Sequence, residues 1–383
     1  MRRPTGWAAP LAALAAVIAL AAPAAAQDSV FGIRGLGYWD RSGSARTAGM
    51  GGALAALDAE SPVNPAAIGS WDATAGWAVG MASDRTFNPG TGSASLSSTR
   101  FPLLGVAGTV SRQLRVALTV SDYLDRNWSV SQPGVDTIAP GDTVVTSDQT
   151  ESLGGVSDLG LAFAYRLTGV TVGLGLHALT GATRLSVTRQ FPNDSSYHTF
   201  NQQGTTDFSG VGLSLGAIAG PLPNLLVGAS LRVNGALKAT TVDTVAHVRM
   251  PVELNFGAEY GPVPGVVVAA SLGYATWSRA SADLVAAGQQ GARNVWSLGV
   301  GAEVAALHMG GQPLPLRLGY EWRQLPFPIG GGTLTESAFT GGLGLTGAGG
   351  RATVDAAVQV GRRGVSGLTE HYRALLLGVT IRP

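Results

Sequence analysis

Two glycine-framed patterns are the first places in the chain where chemistry could occur. Gly212-Leu213-Ser214-Leu215-Gly216 has the form G-x-S-x-G, which in serine hydrolases lifts a nucleophile onto a sharp turn between a strand and a helix. Gly342-Leu343-Gly344-Leu345-Thr346-Gly347 has the form G-x-G-x-x-G, which cradles a pyrophosphate when a helix opens directly behind it. Neither has its context. Ser214 lies inside an alternating stretch that turns at Gly220–Pro223, and Ala348, Gly349 and Gly350 stand where the phosphate-binding helix should begin. The histidines, His177, His198, His247, His308 and His371, are scattered, with none at metal-ligand spacing from another. Asp122 with Asp125 and Asp142 with Asp148 could offer oxygens to calcium, but no compact ligand pattern surrounds them and a solvated loop accounts for them better. The expectation is a chain that is not an enzyme and holds no cofactor and no metal.

The elements that carry these residues must be strands. Arg2 and Arg3 precede an apolar run from Trp7 to Ala22, followed by Pro23 and Ala24-Ala25-Ala26, the pattern of a signal peptide with cleavage before Gln27. Beyond it no run of about 18 apolar residues could form a spanning helix. Charged residues are 13% against hydrophobic residues at 45%, and an average soluble domain carries roughly 25% charge. So few charges do not cover a surface that water surrounds on every side. With 55 Gly and 0 Cys, neither a disulfide framework nor a lipidated cysteine is available. Without Arg2 and Arg3 the balance is 23 Lys+Arg against 24 Asp+Glu, with no long basic run, which disfavours nucleic acid as a partner.

From Ala75 onward the pattern is dyadic. Leu159, Leu161, Phe163, Tyr165 and Leu167 alternate with Gly160, Ala162, Ala164 and Arg166. Val252, Leu254, Phe256, Ala258 and Tyr260 oppose Glu253, Asn255, Gly257 and Glu259; Leu314 to Trp322 oppose Pro315 to Arg323 in the same way. Charged groups on alternate positions suit a wet lumen, not a dry core. Strands at about 75–83, 103–111, 114–122, 156–166, 170–187, 207–219, 225–238, 249–260, 265–277, 294–306, 314–324, 335–346, 352–361 and 371–382 make about fourteen. Their connections alternate between long (Asp84–Pro102, Tyr123–Gly155, Thr188–Thr206, Ala239–Val248, Ser278–Arg293, Leu325–Leu334, Arg362–Glu370) and short. That rhythm predicts an all-β, antiparallel up-and-down transmembrane barrel with long loops outside and short turns in the periplasm. Trp77, Trp277, Trp296, Tyr320 and Trp322 near strand ends fit interfacial girdles, with scattered packing aromatics as the alternative.

The segment before the barrel is more specific. Ser44-Ala45-Arg46-Thr47-Ala48-Gly49-Met50-Gly51-Gly52-Ala53 is followed by Asn64-Pro65-Ala66-Ala67. Asn64 can cap a turn while Pro65 fixes φ, making a rigid corner, and Gly49, Gly51 and Gly52 allow close backbone packing. This segment resembles the hatch of FadL-like long-chain fatty-acid outer-membrane transporters, where a S-A-R-x-x-G-M-G-G-A stretch and an N-P-A corner plug a fourteen-stranded barrel. Leu316-Arg317-Leu318-Gly319-Tyr320, Val354-Asp355-Ala356 and Val360-Gly361-Arg362-Arg363-Gly364 are similar to the same family near the C-terminus; the final Ile381-Arg382-Pro383 departs from it in lacking a terminal aromatic. The resemblance implies residues 1–26 as signal peptide, 27–72 as hatch and 73–383 as barrel. It implies passive uptake of hydrophobic small molecules, fatty acids above all, by a protein set among outer-membrane lipid and lipopolysaccharide by the barrel assembly machinery. Ligand would enter among the loops at Thr188–Thr206 and Ala239–Val248, and an interior arginine would hold its carboxylate. Arg232 and Arg317 have the inward parity for that, with pairing to Glu253, Glu303 or Glu321 as the alternative. Two other readings stay open: a subunit of a protein-secretion machine of the PorV type, and an open polar porin.

Overall fold

A computed structural model of the protein describes residues 30–40, 43–88, 94–139, 142–192, 196–309, 312–365 and 367–382; the expected signal peptide and its cleavage site before Gln27 lie outside the described residues. Strands are numbered along the chain as β1 (Tyr38–Trp39), β2 (Ala75–Asn88), β3 (Ala94–Thr109), β4 (Leu114–Asp125), β5 (Trp128–Ala139), β6 (Asp142–Arg166), β7 (Val170–Gln190), β8 (Phe200–Leu222) and β9 (Leu225–Asn234). They continue as β10 (Ala236–Thr240), β11 (Val245–Arg249), β12 (Val252–Val263), β13 (Val266–Ala275), β14 (Val295–Met309), β15 (Gln312–Ile329), β16 (Gly332–Gly347), β17 (Ala352–Val365) and β18 (Leu368–Ile381). β1, β5, β10 and β11 are accessory. The remaining strands pair antiparallel in sequence order, β4 meeting β6 and β9 meeting β12, and β18 returns to β2 from Thr369↔Asn88 to Ile381↔Gly76. The result is a closed antiparallel 14-strand barrel.

Closing β18 onto β2 leaves no strand of the wall with only one neighbour, as a lipid-facing sheet requires. Its outer face carries Leu118, Leu174, Leu213, Phe256, Leu298, Leu318, Phe339 and Val360, all exposed. Covering each such side chain is worth about 1.5–3 kcal/mol, so a band of this kind is stable in acyl chains and not in water. This is a membrane-type barrel, and among the described residues no helix is long and apolar enough to cross a membrane. The opposite parity points inward: Asp158 on β6, Arg232 on β9, Glu253 on β12 and Arg317 on β15 are all buried.

Strands extend further than their sequence pattern indicates. The stretches read as long loops at Asp84–Pro102, Leu325–Leu334 and Arg362–Glu370 are largely strand, so that Gly330-Gly331 alone links β15 to β16. Tyr123–Gly155 is a hairpin, β5 pairing with β6 from Trp128↔Ser152 to Ala139↔Asp142. In Tyr123–Gly155 polar residues on both faces erase the dyad although the backbone ladder continues; in Leu325–Leu334 it is lost because Leu325, Phe327 and Leu334 pack with residues of the N-terminal segment. The strand expected at 225–238 breaks at Gly235, whose N–H turns to the Val211 carbonyl at 2.8 Å; Ala236–Thr240 stays beside β8 but pairs on its other side with β11 instead of β12. The strand expected to run to Trp277 ends at Ala275, and the following loop holds a short helix, Ser281–Ala286.

The girdle expectation needs correction at two residues. Tyr274, Trp296 and Trp322 lie on the outer face near one rim, Tyr274 against Trp296 at 4.5 Å. Trp77 and Trp277 instead point inward, at 4% and 0% exposure. Trp77 stacks on Trp71 at 5.9 Å, and Trp277 meets Trp39 and Phe327 edge-on. Around Trp77 the usual assignment of faces is inverted, Gly76 and Ala78 facing out, because the N-terminal segment supplies an apolar core on the lumenal side.

Candidate functional site

The N-terminal segment folds inside the barrel around a small polar knot. Ser44 caps the short helix Ala45–Gly49 by accepting from the Thr47 N–H at 3.1 Å, and Ser44 and Thr47 both donate to Asp58. Gly51 and Gly52 then leave the helix at φ 64° and 74°, values an L side chain resists. At Asn64 the expected corner forms: its Oδ1 accepts from the Ala66 N–H at 3.0 Å and its Nδ2 donates to the Ala56 carbonyl at 2.8 Å.

Inward-facing glycines bring the wall against this backbone. A Cβ on Gly319 of β15 would collide with Met50 and Gly51, and one on Gly173 of β7 with Pro65 and Ala66. Met50 is 0% exposed as a result. Because a buried backbone group needs a partner, wall side chains serve the segment's polar atoms. Ser271 donates to the Gly52 carbonyl at 2.9 Å, Thr340 to the Gly49 carbonyl at 3.0 Å, and Arg115 to the Trp71 carbonyl at 2.6 Å. Arg46 makes a two-pronged bond to Glu303 of β14, both contacts at 3.0 Å. Glu60 accepts from Thr380 at 2.6 Å, and burial, with Asp58 close by, pushes its carboxyl up to about 8.

One seam of the wall is incomplete. β3 and β4 pair only from Leu103↔Ser121 to Thr109↔Arg115; beyond Leu103 comes Pro102, which has no N–H to continue the ladder. The edge of β4 that β3 abandons is taken by β1, Tyr38 opposite Asp125 and Trp39 opposite Leu124, with the Asp40 N–H on the Tyr123 carbonyl at 3.1 Å. Across the gap Arg100 of β3 reaches Asp40 at 2.8 Å, Asp125 at 3.0 Å and Asp122 at 3.7 Å. The segment that fills the lumen therefore also fills the seam.

Behind the seam a cavity of about 110 Å³ separates segment from wall, lined among others by Asp40, Arg85, Arg100, Pro102, Glu321, Arg323, Glu336, Arg363 and Tyr372. Glu336 is its hub: it accepts from Tyr38 at 2.8 Å, from Tyr372 at 2.9 Å and from Arg323 at 2.9 Å, and lies 3.0 Å from Arg363. Arg363 is stacked between the rings of Tyr38 and Tyr372, each 4.5 Å away, and its buried Nη1 has no hydrogen-bond partner among the described residues.

The two arginines singled out by parity do face inward, but both are occupied. Arg317 bonds Glu303 at 2.6 Å and Asp355 at 2.5 Å, which places it in a chain with Arg46. Arg232 bonds Asp158 at 2.6 Å and Asn234 at 2.8 Å, with Glu253 4.0 Å away. The pairing alternative describes both. Arg323 and Arg363 were missed, although the parity rule that selects Arg317 selects Arg323 as well. The acidic pairs read as loop residues have arginine partners: Asp122 and Asp125 share Arg100, and Asp148 holds Arg189 at 2.6 Å. Ser214 lies within β8, as expected, yet His177 of β7 and Asp158 of β6 stand next to it, His177 Nε2 2.8 Å from Ser214 Oγ and Nδ1 3.0 Å from Asp158. Strand parity with the register would have joined these three, because Gly160 pairs with His177 and His177 with Gly212. Among the described residues no metal-binding group of three His, Cys, Asp or Glu forms.

No protein-family model matches the chain, and no curated protein does. Solved structures match its fold over most of their length. A Pseudomonas aeruginosa FadL homologue superposes with a TM-score of 0.62 at 14% identity, covering 90% of this chain and 99% of that one. The Ralstonia pickettii toluene transporter TbuX gives 0.58 at 16% identity over 89% and 98%, and the Pseudomonas putida toluene transporter TodX 0.55 at 14% over 90% and 98%. The chain has the FadL-type fold, a fourteen-stranded barrel with an N-terminal hatch; among the solved proteins that share it, TbuX and TodX are toluene transporters and CymD is a monoaromatic hydrocarbon channel.

Proposed function

We propose that the protein carries hydrophobic small molecules passively across the outer membrane of a Gram-negative cell, and that long-chain fatty acids are its preferred cargo. The observation that carries this reading is the shared use of one segment: β1 closes the β3–β4 seam, and the chain that follows it closes the lumen. If the hatch shifts, the lumen and a side exit into the bilayer open together. A polar solute gains nothing from a side exit, whereas an apolar one partitions into lipid at about 0.8 kcal/mol per methylene. Fold similarity to transporters of hydrophobic compounds supports the same class of cargo.

The head group points to an acid. Arg363 and Arg323 are paired with Glu336 but keep unpartnered donor atoms and line the cavity, where a carboxylate would gain charge-assisted bonds; Arg232 and Arg317 lie outside that lining. With the hatch in place the cavity of about 110 Å³ is on the order of the space that holds one benzene, about 150 Å³. A long acyl chain therefore needs the hatch or the seam to move. By the same reading the barrel lies among outer-membrane lipid and lipopolysaccharide, placed there by Sec-type export and the barrel assembly machinery.

Native mass spectrometry of the detergent-purified protein tests the proposal. Challenged separately with a long-chain fatty acid, a neutral monoaromatic hydrocarbon and a sugar, it should retain the acid saturably and lose that retention by at least about tenfold in Arg363→Gln, as removal of a charged hydrogen bond predicts. Retention of hydrocarbon alone would move the cargo to neutral molecules. Retention of sugar, or of none of the three, would overturn hydrophobic uptake.

A further inference from the structure

We propose that Ser214 is a latent nucleophile, activated by His177 and Asp158, that accepts the acyl group of a hydrophobic carboxylic ester admitted to the lumen. The three residues come from adjacent strands and face inward at one level, at 2%, 6% and 2% exposure. Asp158 lies 3.0 Å from His177 Nδ1, and a carboxylate can only accept, so the ring proton is on Nδ1. In the neutral ring Nε2 is then the acceptor, and the Ser214 hydroxyl, 2.8 Å away, is placed to donate to it. This is the connectivity of an acyl-transfer triad, which is recognised by geometry and not by sequence order or fold.

Neighbouring residues keep the arrangement tight. A Cβ on Gly175 would collide with Ser214 Oγ and approach His177 Nε2 to 3.1 Å, so glycine at that position leaves room for the pair to meet. Arg232, the cross-strand partner of Ser214, bonds Asp158 at 2.6 Å through Nη1, while its buried Nη2 has no hydrogen-bond partner among the described residues. Arg232 lines the adjoining cavity together with Asp158, so its part in the cluster is to fix the aspartate. Pro62, Asn64 and Pro65 of the hatch cover the remaining side, leaving a void of about 20 Å³ over Ser214 and His177. The site is therefore sealed while the hatch corner is seated, and access depends on the same hatch movement that uptake invokes.

Each step balances. Ser214 Oγ attacks the ester carbonyl carbon and its proton passes to His177 Nε2; the carbonyl–alkoxy bond breaks and the alcohol leaves with that proton. Water then attacks the acyl-serine, His177 takes a proton from it and returns one to Ser214 Oγ, and a carboxylic acid is released.

The test is covalent labelling of the full-length protein in detergent with an alkyl fluorophosphonate, located by peptide mass spectrometry. The parent should label slowly at Ser214, and Asn64→Ala/Pro65→Ala at least about tenfold faster once channel conductance shows its hatch displaced. His177→Gln and Asp158→Asn in that background should lower labelling by about 10²-fold or more while the barrel keeps its heat-modifiable mobility. Labelling does not require transport, so it succeeds or fails independently of the uptake reading. Absence of an adduct at Ser214 in a conducting hatch-displaced variant, or equal labelling with His177→Gln, would overturn the proposal.

Discussion

The seam where β18 meets β2 and the seam where β3 meets β4 are built from the same kind of strand but held by different forces. The first is a continuous ladder from Thr369↔Asn88 to Ile381↔Gly76. The second stops at Leu103↔Ser121 and is completed by a two-residue strand of the hatch and by one arginine bridging three aspartates. Opening a ladder in lipid exposes N–H and C=O groups at several kcal/mol each. Opening the second seam exchanges ion pairs for water from the lumen, and the strand edge on β4 has already been assigned to a removable segment. A barrel can thus be closed everywhere and still be breachable at one place, provided the closure there belongs to another part of the chain.

The largest effect expected from breaking this comparison follows from deleting residues 28–72. The deletion removes the lumenal contents and β1 together, so conductance of a refolded barrel should rise by about tenfold or more, as in wide barrels whose lumen is free of a plug. Unchanged current in planar bilayers would mean that the segment does not close the channel.

A sharper cut spares the hatch and removes only the bridge. Arg100→Ala takes away the cation shared by Asp40, Asp122 and Asp125; loss of one partner from a buried ion pair costs about 3–5 kcal/mol. Uptake of a fatty acid into proteoliposomes should become several-fold faster, with a lowered temperature of heat modification. Thr86→Ala on the complete β18–β2 seam should change stability by no more than about 0.5 kcal/mol and leave uptake as it was. Equal responses from the two variants would erase the distinction between the seams.

What was legible in the sequence divides along the same line. Every wall strand was announced by its dyad, because lipid on one side and a polar lumen on the other make face and residue type interchangeable. The pattern failed where that contrast disappears: above the membrane, where polar residues on both faces hid the length of β5 and β6, and at Trp77, where the hatch makes the lumen apolar. The Asn64-Pro65-Ala66 corner was readable because an Asx turn before proline is a local device. Arg100 with its aspartates, and Ser214 with His177 and Asp158, were not, since each cluster depends on the register between strands tens of residues apart. Inward parity alone gave Arg232 and Arg317 and could not tell them from Arg323 and Arg363, the inward arginines that line the cavity.

The last predicted effect concerns pH, and it acts on the hatch away from the open seam. Burial, reinforced by Asp58, raises the Glu60 carboxyl to about 8 while Thr380 bonds it. The docked hatch thus holds Glu60 protonated at pH values where the released segment would ionise it. Below the ordinary carboxylate range both forms carry the proton and docking is at its strongest. As pH rises from there towards 8 the released form gives up its proton first, so docking weakens by at most about 1.4 kcal/mol per pH unit; above 8 both forms are ionised and the dependence ends. Single-channel open probability should therefore climb between pH 5 and 8 and level off, and Glu60→Gln, which keeps an acceptor for Thr380 but cannot ionise, should flatten the climb. A parent and a variant with the same pH profile would remove Glu60 from hatch control, and the difference between the two seams would then rest on Arg100 and β1 alone.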